Sequence, residues 1–148
     1  MARPTFHTLT VADVRKETAD CVSIAFEIPE ECKELYQYKS GQYLTLRADI
    51  DGQDTRRSYS ICSSPSSGEL RVAIKRVEGG LFSTWANQNI KRGQLLQVMT
   101  PAGKFTTEIP SEMPRKYLMI GAGSGVTPLI SITREILNAD KKAEVIML

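Results

Sequence analysis

Six short runs in the first two thirds of the chain have the alternation or the β-branched content of strands. Clusters of glycine, proline, serine and charged residues separate them, as in Asp51-Gly52 and in Gly79-Gly80. Short runs joined by such turns predict an antiparallel barrel or sandwich rather than a helical bundle. The six runs are residues 7–14, 21–28, 43–48, 56–61, 70–76 and 95–100.

One helix interrupts this pattern. Residues 82–89 carry apolar and polar positions at helical spacing and begin just after Gly79-Gly80. A serine near the start of a helix can accept a hydrogen bond from a free backbone N–H. We therefore predict a helix over residues 82–89 with Ser83 as its N-cap.

The pattern changes after residue 100. Residues 117–120 form a continuous apolar run, as expected of a buried parallel strand, and a glycine-rich turn follows at residues 121–125. Pro128 suits the first turn of a helix, which we predict over residues 129–138, and residues 143–148 form a second apolar run. The unit is βαβ. We expect a barrel domain over residues 1–112 and the incomplete opening of an α/β domain over residues 113–148.

Composition excludes several classes of protein. The 148 residues carry a formal net charge of +2 and form no concentrated basic stripe, which argues against nucleic-acid binding. No apolar stretch is long enough to span a membrane, and the N-terminus shows no secretory signal, so we expect a cytoplasmic protein. Cys21, Cys32 and Cys62 form no C-x-x-C pair, so we expect reduced thiols and no metal centre.

The run from Arg56 to Ile61 carries the most chemical information. On a strand, Arg57 and Tyr59 share one face while Ser58 and Ser60 share the other. A guanidinium can form two parallel hydrogen bonds to a diphosphate, and a tyrosine ring can stack on another aromatic ring. From these residues alone, an edge strand of mixed polarity is an equally good interpretation.

Two glycine features point to anionic groups. Gly79-Gly80 stands before a predicted helix, whose free N–H groups and positive dipole end favour a phosphate; a plain capped turn is the alternative. The turn at residues 121–125 reads G-x-G-x-G rather than G-x-G-x-x-G. Its position between a strand and a helix is nevertheless typical of a dinucleotide-binding turn.

The order of these elements resembles the ferredoxin:NADP reductase superfamily, which joins an antiparallel flavin barrel to a pyridine-nucleotide α/β domain. The R-x-Y-S signature of that superfamily matches residues 57–60, its phosphate-binding helix start matches residues 80–83, and its nucleotide turn matches residues 121–128. Gly41-Gln42 also resembles the segment that precedes the signature. Among its members, the reductases of phenylacetyl-CoA ring epoxidases look most similar, although other oxygenase reductases and flavohaemoproteins share much of the pattern.

The resemblance implies a flavin site and part of a nicotinamide site. Tyr59 and Ser60 would be the catalytic residues, with the Tyr59 ring against the isoalloxazine and Ser60 near its N5 edge, while Arg57 would pair with the diphosphate. The implied cofactor-binding residues are Arg57, Ser58, Tyr59, Ser60, Val72, Ile74, Lys75, Gly80, Leu81, Phe82, Ser83, Gly123, Ser124 and Thr127.

The implied function is a reductase that moves electrons from NAD(P)H through FAD to an iron–sulfur centre and an oxygenase, in aromatic degradation. A [2Fe-2S] cluster would belong to a further domain outside this chain, and the choice between NADH and NADPH stays open. Because half of the nicotinamide site is missing, we expect the chain alone to be a poor catalyst. Alternatives are a reductase of another oxygenase or flavohaemoprotein, a flavin-binding module without turnover, and a small oligonucleotide- or protein-binding barrel.

Overall fold

A computed structural model describes residues 5–108 and 115–148 of the chain. The described residues form eight strands and two α-helices. In chain order these are β1 Phe6–Thr18, β2 Cys21–Glu27, β3 Tyr43–Ile50, β4 Gln53–Ser60, β5 Leu70–Lys75, α1 Leu81–Asn89, β6 Leu95–Met99, β7 Lys116–Met119, α2 Val126–Ala139 and β8 Glu144–Met147.

The first six strands form one antiparallel sheet in the order β4-β3-β6-β1-β2-β5. The two outer strands of this sheet meet at a bridge between Ile61 and Val72, where the Cys62 N–H donates to the Arg71 carbonyl at 2.9 Å. This contact closes the sheet into a barrel. The predicted six-stranded antiparallel barrel is confirmed.

Alternation along the strands builds the barrel core. In a strand every second side chain points to the same face, and here that face is apolar. Full burial of one such aliphatic side chain stabilises the fold by roughly 1.5–3 kcal/mol. The inward-facing residues that are almost completely buried include Leu9, Val11, Ile24, Leu44, Leu46, Val72, Ile74 and Val98.

The strands extend further than their sequence pattern predicts. Asp51 and Gly52 both have positive φ, +52° and +78°, and form the two-residue turn that matches the twist of a hairpin. The Asp49 carboxylate accepts the Gly52 N–H at 2.9 Å and fixes this turn. Pairing therefore runs up to the turn on both sides, so β3 ends at Ile50 and β4 begins at Gln53.

A buried arginine joins three strands on the outer side of the barrel. Arg71 is only 3% exposed. Its guanidinium donates to Asp13 at 2.5 Å, to Glu69 at 2.8 Å and to the Ser23 hydroxyl at 2.8 Å. Because Asp13 lies on β1 and Ser23 on β2, these bonds hold β5 in register with its neighbours.

The second unit is a βαβ element, as predicted. Strands β7 and β8 are parallel, and α2 packs on them through a small apolar cluster of Met119, Leu129, Ile132 and Ile136. The helix begins at Val126, three residues earlier than predicted, so Pro128 lies inside its first turn, where a missing N–H is harmless. The expected domain boundary between residues 112 and 113 lies outside the described residues.

The prediction that one helix interrupts the barrel strands holds for α-helices but omitted three short 3₁₀ segments. These are Glu30–Cys32, Glu34–Tyr36 and Pro65–Ser67. The buried Tyr36 hydroxyl donates to the Val98 carbonyl at 2.6 Å and fixes the second segment to β6. A three-residue segment is too short to show helical periodicity in a sequence. In the described part of the chain, neither helix is long and apolar enough to cross a membrane.

Candidate functional site

Beyond the Ile61–Val72 bridge, β4 and β5 are not paired in the described residues, and we call the unpaired gap between these two strands the cleft. Just after β5, the Arg76 N–H donates to the Asp20 carbonyl on the β2 side, while on β5 the Arg71 carbonyl faces β4. Because backbone groups alternate along a strand, the N–H and C=O of Lys75 also face β4. In the described residues no β4–β5 bridge is found beyond Ile61–Val72, so these groups line the cleft.

The opposite wall of the cleft is the end of β4. The Ile61 N–H donates to the Gln42 carbonyl at 2.9 Å on the β3 side, so by alternation the backbone groups of Ser58 and Ser60 point toward β5. The Ser58 hydroxyl is engaged elsewhere, since it lies 2.9 Å from the Thr45 hydroxyl. Ser58 therefore offers the cleft its backbone and not its side chain.

Arg57 is an exposed cation without a carboxylate partner in the described part of the chain. Its Nη1 donates to the Arg56 carbonyl at 2.7 Å. By contrast, Arg56 and Arg47 are both paired with Asp54, at 2.8 Å and 2.7 Å. The uncompensated charge of Arg57 is free to bind an anion.

Tyr59 lies on the same face of β4 as Arg57 and is half-buried. Its ring centroid is 5.9 Å from that of Phe82 on α1, and Phe82 in turn lies 5.5 Å from Trp85. Burial raises the pKa of the Tyr59 hydroxyl to about 12, so the side chain stays neutral at physiological pH. The site thus has an uncharged aromatic plane next to a cation.

Helix α1 begins beside this ring and presents free backbone donors. Gly80 is the N-cap, and no side chain caps the helix; the first intrahelical bond runs from Thr84 N–H to the Gly80 carbonyl at 3.0 Å. The N–H groups of Leu81, Phe82 and Ser83 therefore have no intrahelical acceptor. A Cβ on Gly80 would lie 2.6 Å from the Ser83 hydroxyl, so the turn requires glycine there.

The prediction of Ser83 as N-cap is wrong. Ser83 is the third helical residue and is buried. Its hydroxyl accepts the Val77 N–H at 3.1 Å and donates to the Gly80 carbonyl at 3.3 Å. The hydroxyl thus fixes the glycine turn from inside, and only the Ser83 backbone N–H remains for a ligand.

Of the residues predicted on β5, Lys75 turns its backbone groups to the cleft, whereas by the same alternation those of Val72 and Ile74 face β2. The side chains of Val72 and Ile74 are fully buried in the core. Asn87, which sequence reasoning missed, donates from Nδ2 to the Ile74 carbonyl at 3.0 Å and to the Ser83 carbonyl at 2.8 Å. It ties α1 to β5, and its only sequence signal is an amide side chain within a short helix.

The second glycine turn has a different setting. Gly123, with φ +57°, and Ser124 are exposed, whereas Thr127 is half-buried in the first turn of α2. A Cβ on Gly121 would lie 2.7 Å from Leu129 Cδ1, so glycine there permits the close approach of turn and helix. As in α1, no side chain caps α2. In this first turn the Val126 N–H donates to the Gly123 carbonyl and Pro128 has no N–H, so at most the Thr127 N–H is left for an anion.

Cys62 follows β4 but has the character of a packing residue. Burial raises the pKa of its thiol to about 11, and its Sγ lies 3.4 Å from the Arg71 carbonyl oxygen. A neutral thiol of this kind is a poor nucleophile. The described residues contain no group of three or more His, Cys, Asp or Glu side chains that could hold a metal ion.

Comparison with known families identifies this arrangement. Residues 8–107 match the family model described as the oxidoreductase FAD-binding domain. The chain belongs to the oxidoreductase FAD-binding domain family. It is 45% identical over 140 residues to one of the subunits of 1,2-phenylacetyl-CoA epoxidase from Escherichia coli K12, a match that covers 95% of the chain and 39% of that protein.

Other relatives of this FAD-binding domain are named as reductases. The chain is 44% identical over 131 residues to the ferredoxin reductase component of 3-ketosteroid-9-alpha-monooxygenase from Rhodococcus rhodochrous, covering 87% of the chain and 36% of that protein. The solved structure of phthalate dioxygenase reductase superimposes with a TM-score of 0.76 at 23% identity, covering 96% of the chain and 42% of that structure, which shows a common fold. The chain thus spans about two fifths of the length of these relatives.

The cleft fits the cofactor after which the family is named. FAD combines a diphosphate with a flat aromatic ring system. The cleft places an unpaired guanidinium, Arg57, and a half-buried ring, Tyr59, on one strand face. The Gly80 turn beside them leaves no room for a Cβ and precedes free helix N–H groups. Donors for an anion and a plane for a ring therefore occur together.

Proposed function

We propose that this chain is the flavin-binding and hydride-accepting part of an NAD(P)H-dependent reductase that supplies electrons to an oxygenase through an iron–sulfur centre. The observation that carries the proposal is the unpaired Arg57 next to Tyr59, whose ring contacts Phe82 in the first turn of α1. An exposed cation beside a half-buried ring matches a ligand that joins an anionic group to an aromatic ring system.

Each wall of the cleft has its own role in this proposal. Arg57 and the N–H groups of residues 81–83 bind the diphosphate, since charge-assisted bonds and a helix dipole both favour anions. The Tyr59 ring stacks on the isoalloxazine. The Ser60 hydroxyl approaches the flavin N5 edge, and backbone groups of Ser58 and Lys75 hold the edges of the ring and the ribityl chain.

FAD supplies the redox chemistry, because it accepts two electrons as a hydride and releases them singly. The protein residues orient it and exclude water from one of its faces. Burial keeps Tyr59 neutral, with a pKa of about 12, so the site places no phenolate charge against the ring. Because FAD itself would supply the redox chemistry, the protein needs no general acid–base pair in this cleft.

The βαβ unit provides the first part of the nicotinamide site. We assign Gly123, Ser124 and Thr127 to the approach of NAD(P)H, with residues 1–112 forming the flavin domain and residues 113–148 opening the nucleotide domain. The exposed glycine turn and the uncapped start of α2 support this assignment. We place the protein in the cytoplasm, where its three free cysteines stay reduced.

We propose an oxygenase system as the class of electron acceptor. The 45% identity to a component of an epoxidase and the 44% identity to a monooxygenase reductase component are nearly equal, and both relatives are named for oxygenase systems. An oxygenase reached through a [2Fe-2S] centre in another domain or protein is therefore the proposed partner. We choose a phenylacetyl-CoA epoxidase as the specific partner, because the match to that relative covers 95% of the chain and the match to the monooxygenase component covers 87%.

Anaerobic spectroscopy tests this function. The chain is loaded with FAD, and NADH or NADPH is added to a slight excess. We expect slow loss of the oxidised flavin absorbance, followed by its return when a one-electron acceptor such as ferricyanide is added. Bound FAD that neither nucleotide reduces, even in a longer protein that joins these 148 residues to a complete nucleotide domain, would support instead a flavin-binding module without turnover.

A further inference from the structure

Helix α2 is fastened to the loop that leaves the signature strand. The fully buried Ser131 hydroxyl donates to the Ser63 carbonyl at 2.5 Å. Glu135 accepts the Ser66 hydroxyl at 2.8 Å, and the Asn138 amide donates to the same hydroxyl at 2.7 Å. We call these three bonds, between α2 and residues 63–66, the α2 clamp.

Both ends of the clamp lead directly to proposed reaction groups. Ser63 is three residues after Ser60, in the segment where β4 meets β5. Ser131 is one helical turn after Thr127, on the same side of α2, about 6 Å away at 1.5 Å per residue. The clamp therefore connects the flavin strand to the nucleotide helix through two short and rigid paths.

Ser63 itself is held firmly on the barrel side. Its hydroxyl accepts the Arg71 N–H at 3.0 Å and lies 2.9 Å from the Tyr38 hydroxyl. The Ser63 carbonyl, with Ser131 as donor, is thus anchored to β5. A displacement of α2 would break a buried hydrogen bond and leave a polar group unsatisfied.

A glycine contact supports the same placement of α2. Gly41, with φ +92°, precedes β3, and a Cβ there would overlap the Phe105 carbonyl oxygen and lie 3.1 Å from Ile132 Cδ1 of α2. The barrel, the segment after β6 and helix α2 thus meet at a point where no side chain fits. This packing and the clamp act on adjacent residues of the same turn of α2, Ile132 and Ser131, whose side chains point about 100° apart around the helix axis.

We propose that the α2 clamp sets the distance and angle between the nicotinamide and the flavin, with Ser131 as its central positioning residue. The inference rests on the proposed function. In the reaction, C4 of the nicotinamide loses a hydride to flavin N5, so that NAD(P)H becomes NAD(P)⁺ and the flavin gains two electrons. Because hydride transfer depends steeply on geometry, loss of the clamp lowers the transfer rate more than it lowers binding.

The test compares the wild-type chain with Ser131→Ala and with a matched control, Thr133→Val. Thr133 lies two residues along the same helix, and its buried hydroxyl makes no hydrogen bond within the described residues. Three quantities are measured for each protein: the FAD dissociation constant, the amide hydrogen exchange of residues 126–139, and the single-turnover reduction of bound FAD over a range of NADH and NADPH concentrations.

For Ser131→Ala we expect an FAD dissociation constant within about twofold of wild type, faster amide exchange in α2, and a limiting reduction rate at least tenfold lower with little change in half-saturating nucleotide. Thr133→Val should match wild type in all three. The inference is overturned if the limiting rate of Ser131→Ala stays within twofold of wild type, or if Thr133→Val falls equally.

The same design separates this inference from the proposed function. If wild-type chain binds no FAD, the proposed function fails, and the inference fails with it. If FAD binds but neither nucleotide reduces it, both in this chain and in a longer protein that joins these residues to a complete nucleotide domain, the flavin site stands and the positioning role is overturned. Unchanged amide exchange in apo Ser131→Ala would show that Ser131 does not hold α2, whatever the flavin result.

Discussion

The rings of Tyr59 and Phe82 lie with their centroids 5.9 Å apart, although 23 residues separate them in the chain. One ring belongs to the strand that carries Arg57, and the other belongs to the first turn of α1. Phe82 is almost completely buried, so its position is fixed by the barrel core. The contact therefore holds a cation, an aromatic plane and a set of free backbone donors around one cleft.

Substitutions of Tyr59 separate the ring from its hydroxyl. The hydroxyl makes no hydrogen bond within the described residues, so Tyr59→Phe should bind FAD with an affinity within about threefold of wild type. Tyr59→Ala removes the aromatic ring and should weaken FAD binding by about tenfold. This factor corresponds to the roughly 1–1.5 kcal/mol that an aromatic contact contributes. Quenching of flavin fluorescence measures both constants; equal affinities for the two variants would contradict stacking.

Gly80→Ala tests the need for a bare backbone before α1. Its Cβ would lie 2.6 Å from the Ser83 hydroxyl and 3.0 Å from the Val77 carbonyl oxygen. The turn must shift, and we expect FAD affinity to fall at least fivefold together with a lower free energy of unfolding. Gly125→Ala is the control, because a Cβ there meets no atom within 4 Å. Titration of each variant with FAD decides; unchanged affinity in Gly80→Ala would exclude a phosphate close to this turn.

Alkaline pH should destabilise the fold. Burial raises the pKa of the Cys62 thiol from 9.0 to about 11. Below pH 9 the thiol is protonated in both states; between about pH 9 and 11 the unfolded chain loses this proton while the native chain keeps it. The free energy of unfolding therefore falls across that range. Urea titrations at pH 7.5, 9 and 10.5 measure how steeply the free energy of unfolding falls with pH, and this fall should be shallower in Cys62→Ala. An identical fall in the variant would show that Cys62 does not cause the alkaline destabilisation.

Arg71 supports β5 from the side of the strand that faces away from the barrel core. In Arg71→Lys one ammonium nitrogen replaces the two guanidinium nitrogens that donate to Asp13, Glu69 and Ser23, so the three bonds cannot all keep their geometry. Both carboxylates are partly exposed, so we expect a loss of about 2 kcal/mol in the free energy of unfolding, less than for a fully buried pair. Arg15→Ala removes an exposed partner of the same carboxylates and should change stability by less than about 0.5 kcal/mol. Urea unfolding of both variants gives the comparison, and equal losses would refute it.

Local sequence signals predicted the strands well because each strand buries one face. The alternation that places Leu44 and Leu46 inside the barrel also places Tyr59 and Arg57, their register partners on β4, on one shared face. The glycine turns were also predicted from local sequence, because glycine is the residue type that a tight turn with positive φ prefers. The strand and turn pattern predicted a barrel or sandwich, but the pairing of Ile61 with Val72 that closes the barrel was not predicted, since the sequence of one strand does not show which distant strand pairs with it.

Polar side chains with tertiary partners escaped sequence analysis. Serine is a preferred residue type for an N-cap, but the Ser83 hydroxyl accepts the Val77 N–H instead. This bond forms only because the chain folds back over the glycine turn. Asn87 and Ser131 look like ordinary polar positions of a helix, and only the folded structure shows that they bond to carbonyls of β5 and of the loop after β4. The identity of a hydrogen-bond partner is a property of the fold and not of the local sequence.

Titration of the purified chain with FAD, alongside Arg57→Ala and Arg56→Ala, tests the central claim most directly. The two arginines are adjacent, but Arg57 has no carboxylate partner in the described residues while Arg56 is paired with Asp54 at 2.8 Å. Wild type and Arg56→Ala should bind FAD saturably with similar affinity. Arg57→Ala should bind about tenfold or more weakly, the value of a charge-assisted bond of roughly 1.5–3 kcal/mol. Equal affinities in all three proteins, or no saturable binding by the wild type, would contradict a flavin site at this cleft.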